Sequence, residues 1–220
     1  MKKSIETIWK EGFLKNEALV APKLNDLYNQ KSIHMVDKFK RMYKINIIAI
    51  IVFALFLLPF SYFTNMPYMG IPMFFLFSVV VLYSSKFKKK LDNIDTSLNS
   101  YQYLNSFNDW VKEMVSFNTK MSRYLYPYVF ISMVLGFWFG SYGEDIPGEV
   151  FVNWLLEDYP NMSMVFGIPL IGIIGAIIIV VVLAFFGGRI GKWDLNLVYG
   201  RIMKKLDRLL SEMEELRAAN

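Results

Sequence analysis

The sequence predicts an all-α, polytopic membrane protein, with four transmembrane helices in two hairpins joined by a helical cytoplasmic layer. Three observations predict it. Of 220 residues, 55% are hydrophobic and 17% aromatic, where about 45–50% apolar is usual for a soluble domain. Four windows, 45–62, 66–85, 125–142 and 162–186, contain no Asp, Glu, Lys, Arg or His. About 20 apolar residues cross a hydrocarbon core, and a helix is the only single segment that satisfies its own backbone there. Finally, all 24 Lys and Arg lie outside these windows: ten in 2–44, seven in 86–123 and seven in 189–217. Cations collect on the cytoplasmic side. Both termini and the middle segment are therefore expected there, and the acidic loop 143–163 is expected outside.

The first segment, 1–44, reads as amphipathic helices. Met1-Lys2-Lys3 leads into Ser4, Glu6 and Lys10 without the apolar run of a signal peptide, so a retained cytoplasmic start is expected. Ile5, Ile8, Trp9 and Phe13 fall at helical spacing behind Ser4, a candidate cap. Pro22 is expected to break that helix. Ser32 is a second candidate cap, opening a helix that runs through Val36, Phe39 and Tyr43 into the first span. Pro59 is expected to kink or end it.

The first transmembrane hairpin occupies 45–85, turning around Thr64-Asn65-Met66-Pro67. Its second span opens with Gly70-Ile71-Pro72, and Gly167-Ile168-Pro169 stands before the apolar run of span four. Read as Gly-Pro turns at two equivalent entries, these triplets suggest a duplicated hairpin. The first inward span closes on Lys86, Lys88, Lys89 and Lys90, and the last closes on Arg189 and Lys192. These cations read as topology anchors that attract anionic lipid. Tyr43, Tyr83, Tyr124, Tyr126, Tyr142 and Trp193 read as an interfacial girdle.

The middle segment, 86–124, reads as a cytoplasmic helical hairpin. Phe87, Leu91, Ile94, Leu98 and Tyr101 step by four and three, a coiled-coil-like seam. Leu104, Phe107, Val111 and Met114 continue the stripe, with Trp110 beside it. A cluster of Asn and Ser places the turn within 99–109. The second transmembrane hairpin, 125–186, carries two pairs of small residues four apart, Gly136 with Gly140 and Gly172 with Ala176, spacings that let helices approach closely. Its external loop suggests a short interfacial helix around Trp154, or a site for a cation or external partner. The tail, 187–220, repeats a heptad seam through Tyr199, Ile202, Leu206, Leu209, Met213 and Leu216. Gly187, Gly188 and Gly191 are expected to loosen the chain before it.

Familiar catalytic patterns are missing. Cysteine is absent and His34 is the only histidine, so ordinary thiolate or imidazole metal sites lack their ligands. There is no phosphate-cradling Gly-rich loop and no nucleophile elbow. Asp92 and Asp95 sit among lysines, which reads as ion pairing. No cofactor and no nucleic-acid partner are expected.

Trp9-Lys10-Glu11-Gly12-Phe13, the run Leu24-Asn25-Asp26-Leu27-Tyr28-Asn29 and Tyr126-Pro127-Tyr128 are similar to a family of small, uncharacterised bacterial inner-membrane proteins. Members sometimes carry a carotenoid-oxygenase label, an activity that needs four iron-binding histidines where this chain has one. Some accompany alternative sigma factors, which implies an anti-sigma-like or sensory role. The expected function is a non-enzymatic regulatory or scaffold protein of the bacterial inner membrane. Its partners would be membrane lipid, a second copy or a cytoplasmic protein. Ile5, Trp9, Phe13, Leu91, Ile94, Leu98, Trp110, Ile202, Leu206 and Leu209 are expected to serve either as a partner surface or in packing within the chain. The alternative is an oligomeric channel or transport accessory subunit.

Overall fold

The computed structural model describes residues 17–96, 98–141 and 146–218, and within them the fold is helical. Helix α1 spans Glu17–Phe63, α2 Pro67–Asp92, α3 Ser100–Phe139, α4 Pro147–Asp158 and α5 Leu170–Ala218. The four long helices run alternately up and down. Antiparallel strands β1 (Met164–Val165) and β2 (Ile168–Pro169) form a small hairpin before α5. Helix α3 lies mainly against α5 and α2, and α1 mainly against α2.

Three of these helices are long and apolar enough to cross a membrane by length and composition: α1 from Gln30, α2, and α5. The sequence reading counts four. Its third window falls on the end of α3, where Tyr124, Tyr126, Pro127, Tyr128 and Trp138 dilute the aliphatic residues, and α3 does not meet the same criterion.

The prolines behave differently from expectation. Helix α1 continues through Pro22, which lies in its second turn, and ends only four residues beyond Pro59. Ser32 is no cap; it is buried inside that continuous helix. Pro67 supplies the start of α2, at a position where a missing N–H costs nothing. Pro72 is then inside the helix, so the first Gly-Ile-Pro is no turn. The second triplet is different again. Gly167 sits at φ +77° after Phe166 at +51°, left-handed positions that make a tight two-residue hairpin turn. Residues 162–169 are thus outside α5, and the two triplets have unlike backbones.

The connection between α2 and α3 occupies 93–99, earlier than the 99–109 expected. The Asn99 side chain caps α3 by accepting the Gln102 N–H at 2.9 Å. Asn105, Ser106 and Asn108 lie instead within α3's first turns, Asn105 exposed and the other two half-buried. At the opposite end, α1 passes to α2 through Asn65 at φ +53°, a conformation that asparagine tolerates.

A single core lies at the end of the bundle near 93–99, hereafter the core end. It joins Met35, Val36, Phe39, Tyr43 and Ile47 of α1 with Leu91 of α2. From α3 come Tyr103, Leu104, Phe107, Trp110, Val111 and Met114, and from α5 Tyr199, Ile202, Leu206, Leu209 and Leu210. Toward the other end the apolar residues face outward. Val52, Phe56, Phe75, Ile171, Ile177 and Val181 are all exposed.

Candidate functional site

Phe39 is the hub of the core end. Its ring centroid lies 4.9 Å from Tyr199, 5.3 Å from Phe107 and 5.5 Å from Trp110, the last two edge-on. Such pairs add about 0.5–1.5 kcal/mol each beyond the area they bury. The polar atoms among these rings are largely satisfied. Trp110 Nε1–H donates to the Phe87 carbonyl at 3.1 Å, and Asn46 Nδ2–H donates to the Tyr199 hydroxyl at 3.1 Å. Burial, with the Tyr43 hydroxyl nearby, pushes the Tyr199 phenol up to about 12, against the Asn46 bond, which lowers it. Burial and then the Asp37 charge also raise Tyr103. The Tyr103 hydroxyl has no hydrogen-bond partner among the described residues.

This core absorbs most of the contact residues expected from sequence. Leu91, Trp110, Ile202, Leu206 and Leu209 are buried together, with Ile94 and Leu98 partly buried against them. They pack the chain against itself, one of the two uses expected of them. Ile94 and Leu98 belong to the connection, so the expected seam through 87–101 is not one helix. Tyr43 joins the core and leaves the expected girdle, while Tyr83, Tyr124 and Trp193 are exposed. Ile5, Trp9, Phe13 and Tyr142 lie outside the described residues.

The small-residue pairs divide. A Cβ on Gly136 would overlap the Met69 side chain, and one on Gly140 would fall 3.0 Å from Met66 Cγ and 3.3 Å from the Asn65 carbonyl oxygen. That contact is within the chain, and Ser141 N–H donates to the Asn65 carbonyl beside it at 3.0 Å. Gly172 faces nothing within 4 Å, and Ala176 is half-buried, so this pair marks no contact between the described helices.

Sequence reasoning missed the crossing of α3 with α5. A Cβ on Gly187 would lie 2.7 Å from the Ser122 carbonyl oxygen, one on Gly188 3.1 Å from Arg123 Nε, and one on Gly191 would overlap the Ser122 side chain. These glycines do not loosen the chain; they lie inside an unbroken α5 and let α3 approach. The signal was legible, because Gly187 and Gly191 are four apart like the pairs that were noticed.

Beside this crossing runs a groove between α3 and α5. One part, of about 600 Å³, is lined by Thr119, Arg123, Val181, Ala184, Phe185, Gly188, Arg189 and Lys192. A second, of about 480 Å³, shares Thr119, Arg123 and Lys192 and continues toward Lys112, Met203 and Asp207. The Arg189 guanidinium also lies 5.6 Å from the Phe186 ring. The other basic cluster closes α2. There Lys88 pairs with Asp92 at 2.5 Å, Lys90 pairs with Glu113, and Lys86 stands over the Tyr83 ring at 5.4 Å. Lys89 is in the same last turn.

Among the described residues no group of three or more His, Cys, Asp or Glu could hold a metal ion, and His34 is exposed. No family model, curated protein or solved structure matches the chain.

Proposed function

We propose that this chain is an inner-membrane protein of bacteria that works without catalysis, as a regulatory or scaffold protein. In this reading 45–62, 66–85, 125–142 and the part of α5 from 170 to 186 cross the bilayer, with α4 and the 164–169 hairpin outside and the core end in the cytoplasm. One observation carries it. Apolar side chains are gathered into a core where the Lys and Arg fall, and turned outward where cations are missing. In water, exposing so many large side chains would be strongly unfavourable, at roughly 25 cal/mol per Å² of apolar surface. Against lipid it costs nothing. An 18-residue stretch such as 45–62 rises about 27 Å, close to the hydrocarbon thickness of about 30 Å.

Most of the described residues of the expected seams are buried in the core or packed against it. The N-terminal stretch bearing Ile5, Trp9 and Phe13 is therefore the surface proposed for a cytoplasmic partner, of the anti-sigma-like or sensory kind implied by the resemblance. The absence of cysteine makes the test direct. Single substitutions Lys88→Cys and Lys204→Cys should react with an impermeant maleimide only after the cells are opened, whereas Val150→Cys should react in intact cells. Labelling of position 88 or 204 from outside would overturn the topology. Trp9→Glu with Phe13→Glu should leave the protein in the membrane and abolish its cross-link to a cytoplasmic protein.

The alternative, an oligomeric channel or accessory subunit, draws on the open face of α5 at Gly172 and Gly175. Conductance from reconstituted vesicles would favour it over the scaffold.

A further inference from the structure

The two basic clusters differ in how their charge is balanced. At the end of α2, carboxylates engage Lys88 and Lys90. Across the groove, Arg123, Arg189 and Lys192 converge on one cavity, and among the described residues none of the three forms an ion pair. Three like charges around one concavity repel one another unless an anion joins them. Gly188 helps bring them together, since a side chain there would crowd Arg123 Nε at 3.1 Å.

We propose that this groove binds an anionic phospholipid. Its phosphate lies among Arg123, Arg189 and Lys192, and an acyl chain runs along Val181, Ala184 and Phe185. Guanidinium forks match phosphate oxygens in a bidentate manner. The apolar wall is what selects a lipid over free phosphate. Val181 lies eight residues from Arg189 on one helix, about 12 Å along its axis, and Val181 and Phe185 are exposed. A headgroup at the cations therefore puts its hydrocarbon against these side chains. The proposal rests on the membrane reading given above.

The test uses the full chain, purified in mild detergent, with bound lipid counted by native mass spectrometry after adding phosphatidylglycerol, phosphatidylcholine or inorganic phosphate. The wild type should retain phosphatidylglycerol in preference to phosphatidylcholine. The triple variant Arg123→Gln, Arg189→Gln, Lys192→Gln should weaken that retention roughly tenfold to a hundredfold. An equal loss of charge at Lys204→Gln, Lys205→Gln, Arg208→Gln, exposed cations of α5 that do not line the groove, should leave it nearly unchanged. Arg189→Gln alone should show a smaller loss, and reads the site if the triple variant misfolds by circular dichroism. Equal losses in the two triple variants, or equal retention of phosphatidylcholine, would overturn the site. Displacement of the lipid by millimolar inorganic phosphate would identify a free-anion site and overturn the lipid assignment. Membrane fractionation of the wild type separates the two readings. Recovery in the soluble fraction sinks the membrane reading, whereas membrane recovery without headgroup preference sinks only the groove.

Discussion

The two hairpins place their small-residue contacts differently. Helices α1 and α2 approach closely beside their turn, where a Cβ on Gly70 would overlap Ser61 and where Ala54, Leu57 and Met73 are buried. Helices α3 and α5 approach closely nearer their middles, away from that turn, at Gly187 and Gly191 against Ser122. Toward the turn end α3 leans on α2 through Gly136 and Met69, and α5 is left with Gly172 and Gly175 facing open space. In the bilayer proposed above there would be no hydrophobic drive between helices, so close backbone approach would have to supply the attraction. The first hairpin uses that approach to seal its tip. The second uses it to fasten one long helix to the core and leaves the rest of that helix uncovered.

The largest expected effect comes from removing what both hairpins share. Phe107→Ala should destabilise the protein by about 3–5 kcal/mol, read as an earlier unfolding midpoint in detergent, because all four long helices meet around the ring cluster beside it. Gly191→Leu should cost about 1–3 kcal/mol by overpacking and open the α3–α5 crossing. A cysteine pair placed across that crossing should then cross-link more slowly, while a pair across the α1–α2 tip should be unaffected. Gly70→Ala should cost a similar or smaller amount and reverse that pattern. Gly172→Leu should change stability by no more than about 0.5 kcal/mol. A cost comparable to that of Gly191→Leu would mean that a second molecule covers this face.

The last test is a titration. The folded-state value for Tyr199, about 12, stands above the ordinary phenol value of about 10. The native form therefore holds this proton longer than the unfolded chain does. Its contribution to stability is complete below pH about 10 and disappears as the pH climbs through about 12. The tyrosinate absorbance difference between wild type and Tyr199→Phe should titrate near 12. A midpoint near 10 would contradict the burial.

The helical class could be read from composition and periodicity, because apolar windows without charges and heptad seams through Leu206 and Leu209 leave few alternatives. The packing was harder to read. A Gly-Ile-Pro triplet is a turn or a helix according to what precedes it. Pro67 had already started α2 before Pro72 was reached, while β1 and β2 hold the second copy in a hairpin. Polar residues at 105–108 resemble a turn until Phe107 and Trp110 are seen to be inward, which makes Asn105 a surface position. The groove is illegible for another reason. Arg123 and Arg189 are 66 positions apart in the chain, and only the glycine crossing brings them to one cavity.

Helix α5 is unbroken over 49 residues, about 73 Å at 1.5 Å per residue. Clamped at one end by the aromatic cluster and bare at the other, it has the geometry of a cantilever whose support lies at Gly187 and Gly191. A sideways load on its exposed half would be carried to that support, beside Arg189 and Lys192 on the same helix.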